Sequence, residues 1–188
     1  MRTILITKSD LDKDNKYKKG FIGTPDNYED VSVEIDEYLG YVVFEKGLYV
    51  KGSIVAKAGS GIEAGWGIEA GDGIKAGDGI KAGEGIEAGW GIEAGDGIEA
   101  GWGIEAGWGI VSFYSWIKAK LSITFTTTIS AGIFSLSGEQ EIEAQEINGK
   151  VIYGKVKFLP KEEVKEQSLS GKEVSVTLDG KTYTAIIK

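Results

Sequence analysis

From Ile62 to Gly109 the chain repeats one six-residue pattern of apolar, variable, small, Gly, variable, Gly, read as Ile-x-Ala-Gly-x-Gly. Eight perfect hexads fill these 48 residues. The second slot holds Glu63, Glu69, Lys75, Lys81, Glu87, Glu93, Glu99 and Glu105, and the fifth holds Trp66, Asp72, Asp78, Glu84, Trp90, Asp96, Trp102 and Trp108. In Ile-x-Ala the two-residue period of a strand sends Ile and Ala to one face and the charged slot to the other. Gly-x-Gly then supplies a permissive backbone for a corner. A helix is excluded, because each Gly costs about 1 kcal/mol relative to Ala in a helix interior. Collagen is excluded because Gly does not recur strictly every third residue. The pattern predicts a β-solenoid, with Ile stacked on Ile and Ala on Ala in a narrow interior column.

The repeat resembles hexapeptide-repeat β-helices and, more loosely, the polymer-forming bactofilin-type solenoids, over about a quarter of the chain. That resemblance implies architecture. In the left-handed hexapeptide helix of acyltransferases the slot two places before the aliphatic residue is small and inward, whereas here it carries Trp, Asp or Glu. Those enzymes also resemble one another in using a His base, and this chain has no His. The calcium-binding nonapeptide of RTX proteins differs in period. Three hexads per coil would stack Trp66, Glu84 and Trp102, then Asp72, Trp90 and Trp108, then Asp78 and Asp96. Two hexads per coil would sort aromatics from acids better but leave little interior to bury. The three-sided coil is the expectation.

The flanks read as further strands. Residues 2–7 alternate, residues 9–19 form a charged loop, and 31–35, 41–44 and 48–50 are apolar-alternating runs broken by Gly. Phe44, Val50 and Ala56 keep the six-residue spacing of Ile62, which suggests an early start in degenerate coils. An imperfect hexad, residues 56–61, leads in. After the repeat, residues 110–114 abandon the hexad and 121–136 is rich in Thr, Ile and Phe. Asn148-Gly149 between 141–147 and 150–158, and Asp179-Gly180 between 174–178 and 181–187, predict two type I′ hairpins. Residues 161–167 suit a short helix or polar loop. The expected organisation is an all-β chain with an N-terminal β region over 1–55, the solenoid over 56–110 and a C-terminal β region with two hairpins over 111–188, the end elements capping the solenoid.

Composition narrows the chemistry. Among 188 residues there are 29 Gly, no His and no Cys, with 21 basic and 29 acidic side chains for a net charge of -8. A His base, a thiol nucleophile, disulfides and His- or Cys-ligated metals are excluded. With no residues set apart for catalysis, a non-enzyme with no cofactor and no metal is the expectation. No apolar run is long enough for a signal peptide or a membrane span, so a cytoplasmic protein, encoded by a phage or other mobile element, is expected. Ten acids and two Lys of the repeat account for the whole net charge, leaving 19 acids and 19 bases elsewhere. With a coil rise of about 4.8 Å, this is roughly one net charge per 1.6 Å, against one per about 1.7 Å of duplex DNA. Such a rod repels nucleic acid and anionic lipid and is suited to imitating the former.

Bare carboxylates in an Ile/Ala column would cost several kcal/mol each, so the fifth slot should point outward or lie at a corner. The expected partner surface is therefore Glu63, Glu69, Glu87, Glu93, Glu99 and Glu105 with Asp72, Asp78 and Asp96, anchored by Trp66, Trp90, Trp102 and Trp108. In size and charge alone, the chain is similar to acidic phage-borne inhibitors of restriction and CRISPR nucleases. That similarity implies a decoy for a basic nucleic-acid-binding groove. The alternatives are Glu that merely solubilises the rod, a self-associating structural solenoid, and carbohydrate stacking on Trp. A carboxylate-pair enzyme is less favoured, since no carboxylate is distinguished by context. Glu at six-residue spacing is a poor calcium ligand set, and the Thr cluster at 124–128 lies outside the repeat, against ice binding.

Overall fold

The computed structural model describes residues 1–134 and 140–161, together with the backbone of the strands Glu173–Leu178 and Lys181–Ile186. The main body is an all-β parallel solenoid of about six turns, built as three sheets that the chain visits in rotation. Sheet I takes Arg2–Ile6, Val31–Ile35, Ile54–Ala56, Ile74–Ala76, Ile92–Ala94, Ile110–Ser112, Ile129–Ala131 and Val151–Tyr153. Sheet II takes Gly40–Phe44, Ser60–Ala64, Ile80–Ala82, Ile98–Ala100, Ile117–Ala119, Glu141–Ala144 and Lys155–Phe158. Sheet III takes Leu48–Val50, Ile68–Ala70, Ile86–Ala88, Gly103–Ala106, Ser122–Phe125 and Glu146–Asn148. No helix among the described residues is long and apolar enough to cross a membrane.

Each hexad makes one side of a three-sided coil. Ile62 pairs with Ile80 and Ile80 with Ile98, so three hexads close a coil, as the larger interior of that shape predicts. Every repeat Ile and Ala is buried, and each of the three sides lines the interior with one Ile column and one Ala column. Corners keep the ladder closed: the Gly89 amide donates to the Ala70 carbonyl and Gly107 to Ala88, both at 3.0 Å, and the Trp108 amide donates to the Trp90 carbonyl at 2.9 Å. The fourth- and fifth-slot amides of each corner thus find acceptors in the preceding coil, as buried backbone favours.

The glycines of the repeat serve a purpose other than the one expected. None of them has a positive φ; the left-handed glycines, such as Gly59 and Gly132, lie outside the hexads. The fourth-slot Gly is needed for close approach: a Cβ on Gly89 would stand 2.0 Å from the Gly71 carbonyl oxygen one coil earlier. On the sixth-slot Gly85 a Cβ would meet only the Gly103 oxygen, at 3.7 Å.

Beyond the hexads the same plan continues with other residues. Ile110 and Ser112 stack on Ile92 and Ala94 although the sequence has left the repeat. The buried Ser112 hydroxyl donates to the Asp96 carbonyl, which satisfies its polar atom inside the column. Upstream, residues 8–30 complete an irregular first coil. Lys16 bridges Val43, and Ile22 and Glu29 bridge Leu48 and Val50, while Tyr17 packs on Phe44 with ring centroids 5.4 Å apart.

Two expectations are corrected. Phe44, Val50 and Ala56 do not continue the Ile column; they pair with Ala64, Ala70 and Ala76, and Val42, Leu48 and Ile54 hold the Ile positions. Extra residues in the corner at 57–60, where Gly59 has φ 68° and the buried Ser60 hydroxyl donates to the Asp36 carbonyl, shift the phase by two. Second, Asn148-Gly149 makes no hairpin. Ile147 and Asn148 pair in parallel with Ile123 and Thr124, and Val151 with Ile129, so 141–158 wraps as further coil. A type I′ turn needs positive φ at both central residues, and Asn148 lacks it. The ladder presented by the preceding coil outcompetes the local turn signal. The second hairpin is present as antiparallel strands in the register Leu178↔Lys181; its turn and residues 162–167 lie outside the described residues.

Gly89→Ala should destabilise the protein by about 1–3 kcal/mol through overpacking, whereas Gly85→Ala should be neutral or slightly stabilising through loss of unfolded-chain entropy. Urea unfolding of the two variants beside the parent measures the contrast, and equal losses would contradict the steric role.

Candidate functional site

Stacking coils of 18 residues turns each outward slot into a column, and the three sheets carry different columns. Along sheet II the order is Glu63, Lys81, Glu99, Lys118, Glu143, Lys157, a strict alternation of sign. Lys157 reaches Glu143 at 2.9 Å and Lys118 reaches it at 3.7 Å. Hydrogen bonding and charge from Lys157, then Lys118, hold the Glu143 carboxyl below the ordinary range. Sheet I places Lys75 against Glu93 at 3.1 Å. Both faces are internally neutralised through much of their length.

Sheet III is different. Its outward column runs Tyr49, Glu69, Glu87, Glu105, Thr124, Asn148, three carboxylates in succession with no cation among them. Burial, then the neighbouring Glu87 and Glu84, push the Glu69 carboxyl above its ordinary value. The first ring of the column, Tyr49, is buried 6.0 Å from Tyr28 of the irregular first coil. The acidic window is thereby bounded by an aromatic at one end and by Thr124 at the other.

Corners frame this face. Trp66, Glu84 and Trp102 occupy the corner that enters sheet III, and Asp72, Trp90 and Trp108 the corner that leaves it. All four Trp are exposed, between 44% and 62% of their surface, in agreement with an outward fifth slot. Lys46 lies over the Trp66 ring at 5.7 Å. Trp102 lines a shallow hollow with Glu69, Glu87, Glu105, Ser122 and Thr124. Trp90 and Trp108 stack at 5.7 Å with planes 8° apart and border a separate, more apolar hollow over sheet I, with Ser53, Val55 and Gly73. At the third corner Asp78 and Asp96 follow one another, and burial and Asp96 raise the Asp78 carboxyl.

Of the six outward Glu in the expected surface, the structure brings Glu69, Glu87 and Glu105 together. It sets Glu93 beside Lys75 on sheet I, and Glu63 and Glu99 on either side of Lys81 on sheet II. Asp72 lies at the border of the acidic face, while Asp78 and Asp96 lie on the side of Tyr41 and sheet II. Sequence reasoning missed Glu84 as a neighbour of Glu69, and it missed Lys118, Glu143 and Lys157 as continuations of the alternating ladder. The 18-residue spacing of Lys81 and Glu99 carried that signal, but in the register Lys118 and Glu143 come one and seven residues later than that spacing. Among the described residues no group of three or more acids converges as a metal site would require. Comparison with protein-family models, with curated proteins and with solved structures returns no match, so the geometry alone carries the functional argument.

Because the folded chain holds the Glu69 proton more tightly than the unfolded chain does, the stability linked to Glu69 is full below the ordinary glutamate range. It is lost as pH rises through the raised value. Glu69→Gln should therefore raise the Tm near about pH 7, with the gain over the parent shrinking toward about pH 4. Thermal unfolding across this range measures it, and a pH-independent difference would contradict the assignment.

Proposed function

We propose that this protein is a non-catalytic interaction module that presents the Glu69–Glu87–Glu105 face to a basic, elongated groove of a partner protein, the kind of groove that otherwise holds a nucleic-acid backbone. One observation carries this reading: the sheet III carboxylates follow one another with no Lys in their column, while Lys alternates with Glu along sheet II and stands against Glu93 on sheet I. A face whose only task was solubility would gain from the same alternation, because like charges directly opposite are destabilising. The protein bears that repulsion on one side, as a surface selected for an outside cation does.

Spacing supports the partner class. Glu69, Glu84, Glu87 and Glu105 occupy three coils, or about 14 Å of axis, close to one charge per 3.5 Å, and a single DNA strand carries one phosphate per about 3.4 Å. A basic groove meets a charge density like that of one strand on a rigid body. Trp102 beside the row supplies a large aromatic side chain that the partner can bury within the contact, where such residues contribute most to affinity. A nuclease that clamps nucleic acid in such a groove is the leading partner, and the protein acts as its decoy by filling the channel.

The test uses a basic DNA-binding nuclease in a competition with labelled duplex DNA at several salt concentrations. Displacement by the parent protein should weaken steeply as salt rises. The triple variant Glu69→Gln, Glu87→Gln, Glu105→Gln should lose about tenfold or more in apparent affinity, roughly 1.4 kcal/mol. A control with Glu63→Gln, Glu93→Gln and Glu99→Gln should stay within about twofold, because each of these exposed charges already has a Lys as its neighbour in the column. Equal loss in both triples, or salt-independent binding, would overturn the assignment to sheet III.

A further inference from the structure

The outward column of sheet I runs Glu34, Val55, Lys75, Glu93, Val111, Ser130. Its centre reads the same from either end, apolar, charged, charged, apolar, with the two charges opposite, flanked by Glu34, which is bound to Lys57, and by the buried Ser130. Reversing the column therefore sets Lys75 on Glu93 and Val55 on Val111. An isologous interface has this self-complementarity, in which a residue meets another and is met by it in return.

We propose that sheet I is a homodimer face, on which two copies meet antiparallel about a two-fold axis crossing between the strands Ile74–Ala76 and Ile92–Ala94. Charge selects this arrangement from its neighbours. A parallel pairing of the solenoids puts Lys75 on Lys75. Sliding the axis half a coil toward Val111 puts Glu93 on Glu93, and sliding it half a coil toward Val55 puts Lys75 on Lys75. Only the central register closes the Lys75–Glu93 pair, 3.1 Å apart within each chain, into an alternating square of four charges across the interface.

Shape agrees with charge. The corner beside this sheet stacks Gly52, Asp72, Trp90 and Trp108 in consecutive coils. Inversion about the same axis brings Trp108 of one copy over Gly52 and Ser53 of the other, and Trp90 beside Asp72. The two stacked indoles, 59% and 62% exposed, thus fall on the part of the corner where Asp72 and Gly52 stand in place of Trp, with the exposed Met1 side chain lying against Gly52. That stretch includes Ser53 and Gly73 of the apolar hollow. The opposite corner does not oppose the pairing, since Asp78 and Asp96 lie on the Tyr41 side, over sheet II. A face about 29 Å long and 10 Å wide, with two Trp, covers on the order of 600 Å² per copy, somewhat under the ~800 Å² of a standard interface, so the dimer is reversible.

Sedimentation velocity of the full chain across a wide concentration range tests this. The parent should pass from monomer to dimer, and Trp108→Ala should weaken the association about tenfold or more. Lys75→Glu and Glu93→Lys should each stay monomeric where the parent is half dimeric, with unchanged circular dichroism. An equimolar mixture of these two variants should dimerise again, because every contact across the axis is then between Glu and Lys. Recovery on mixing separates a contact between chains from loss of the bridge within one. A parent that is monomeric throughout, or a mixture no better than its components, would overturn the proposal. The sheet III triple Gln variant should dimerise normally, which keeps this result distinct from the decoy reading.

Discussion

Coil-to-coil registration is the constraint on which the rest of the molecule depends. Each coil has almost no interior of its own, and its backbone groups find partners only in the coils before and after it. The repeated bonds from fourth-slot Gly amides to Ala carbonyls, and from Ile amides to sixth-slot Gly carbonyls, all near 3.0 Å, tie every side of the prism in one step. That spacing also brings the fourth-slot backbone so near the previous coil that a methyl group would strike its carbonyl oxygen. Glycine abundance, which suggests loose corners, here reports tight packing between corners.

The same registration converts a one-dimensional order of residues into three surfaces of different character. A charge in one hexad is blind to its sequence neighbours, which sit on other sheets, and is paired with the hexad a full coil away. Lys75 and Lys81 are only six residues apart, yet one faces Glu93 on sheet I and the other stands between Glu63 and Glu99 on sheet II. Two lysines thus relieve two faces and leave the third acidic. Net charge is a property of the whole rod, whereas the field that a partner meets belongs to one face.

Continuity at the two ends is achieved without the hexad. Larger side chains at Val42, Phe44, Leu48 and Val50 enter the same columns as Ile and Ala, and the loop through Tyr17, Ile22 and Tyr28 covers the first regular coil. At the other end the parallel ladder draws residues 146–148 and 151–153 into register with the preceding coil. A growing solenoid edge is a strong template, because it offers a full row of unpaired backbone groups. Local turn preference at Asn148-Gly149 amounts to little against it. The strands that meet at Leu178↔Lys181, by contrast, pair antiparallel in a sheet of their own.

The sequence by itself determined the solenoid, its inward Ile and Ala, its outward charges and the exposure of the four fifth-slot Trp, since each of these follows from alternation over three residues and from the cost of burying carboxylates. The three-sided coil was also legible, through the interior volume needed to bury the column. Only the tertiary structure decided which charges meet. A six-residue period is common to coils of different size, and corner insertions such as those at 57–60 and 113–116 change the phase without leaving a mark on the hydrophobic pattern. The uncompensated Glu69, Glu87 and Glu105 and the self-complementary column of sheet I both arise from pairings about 18 residues apart, a distance over which backbone hydrogen bonds between coils, rather than local preference, set the register.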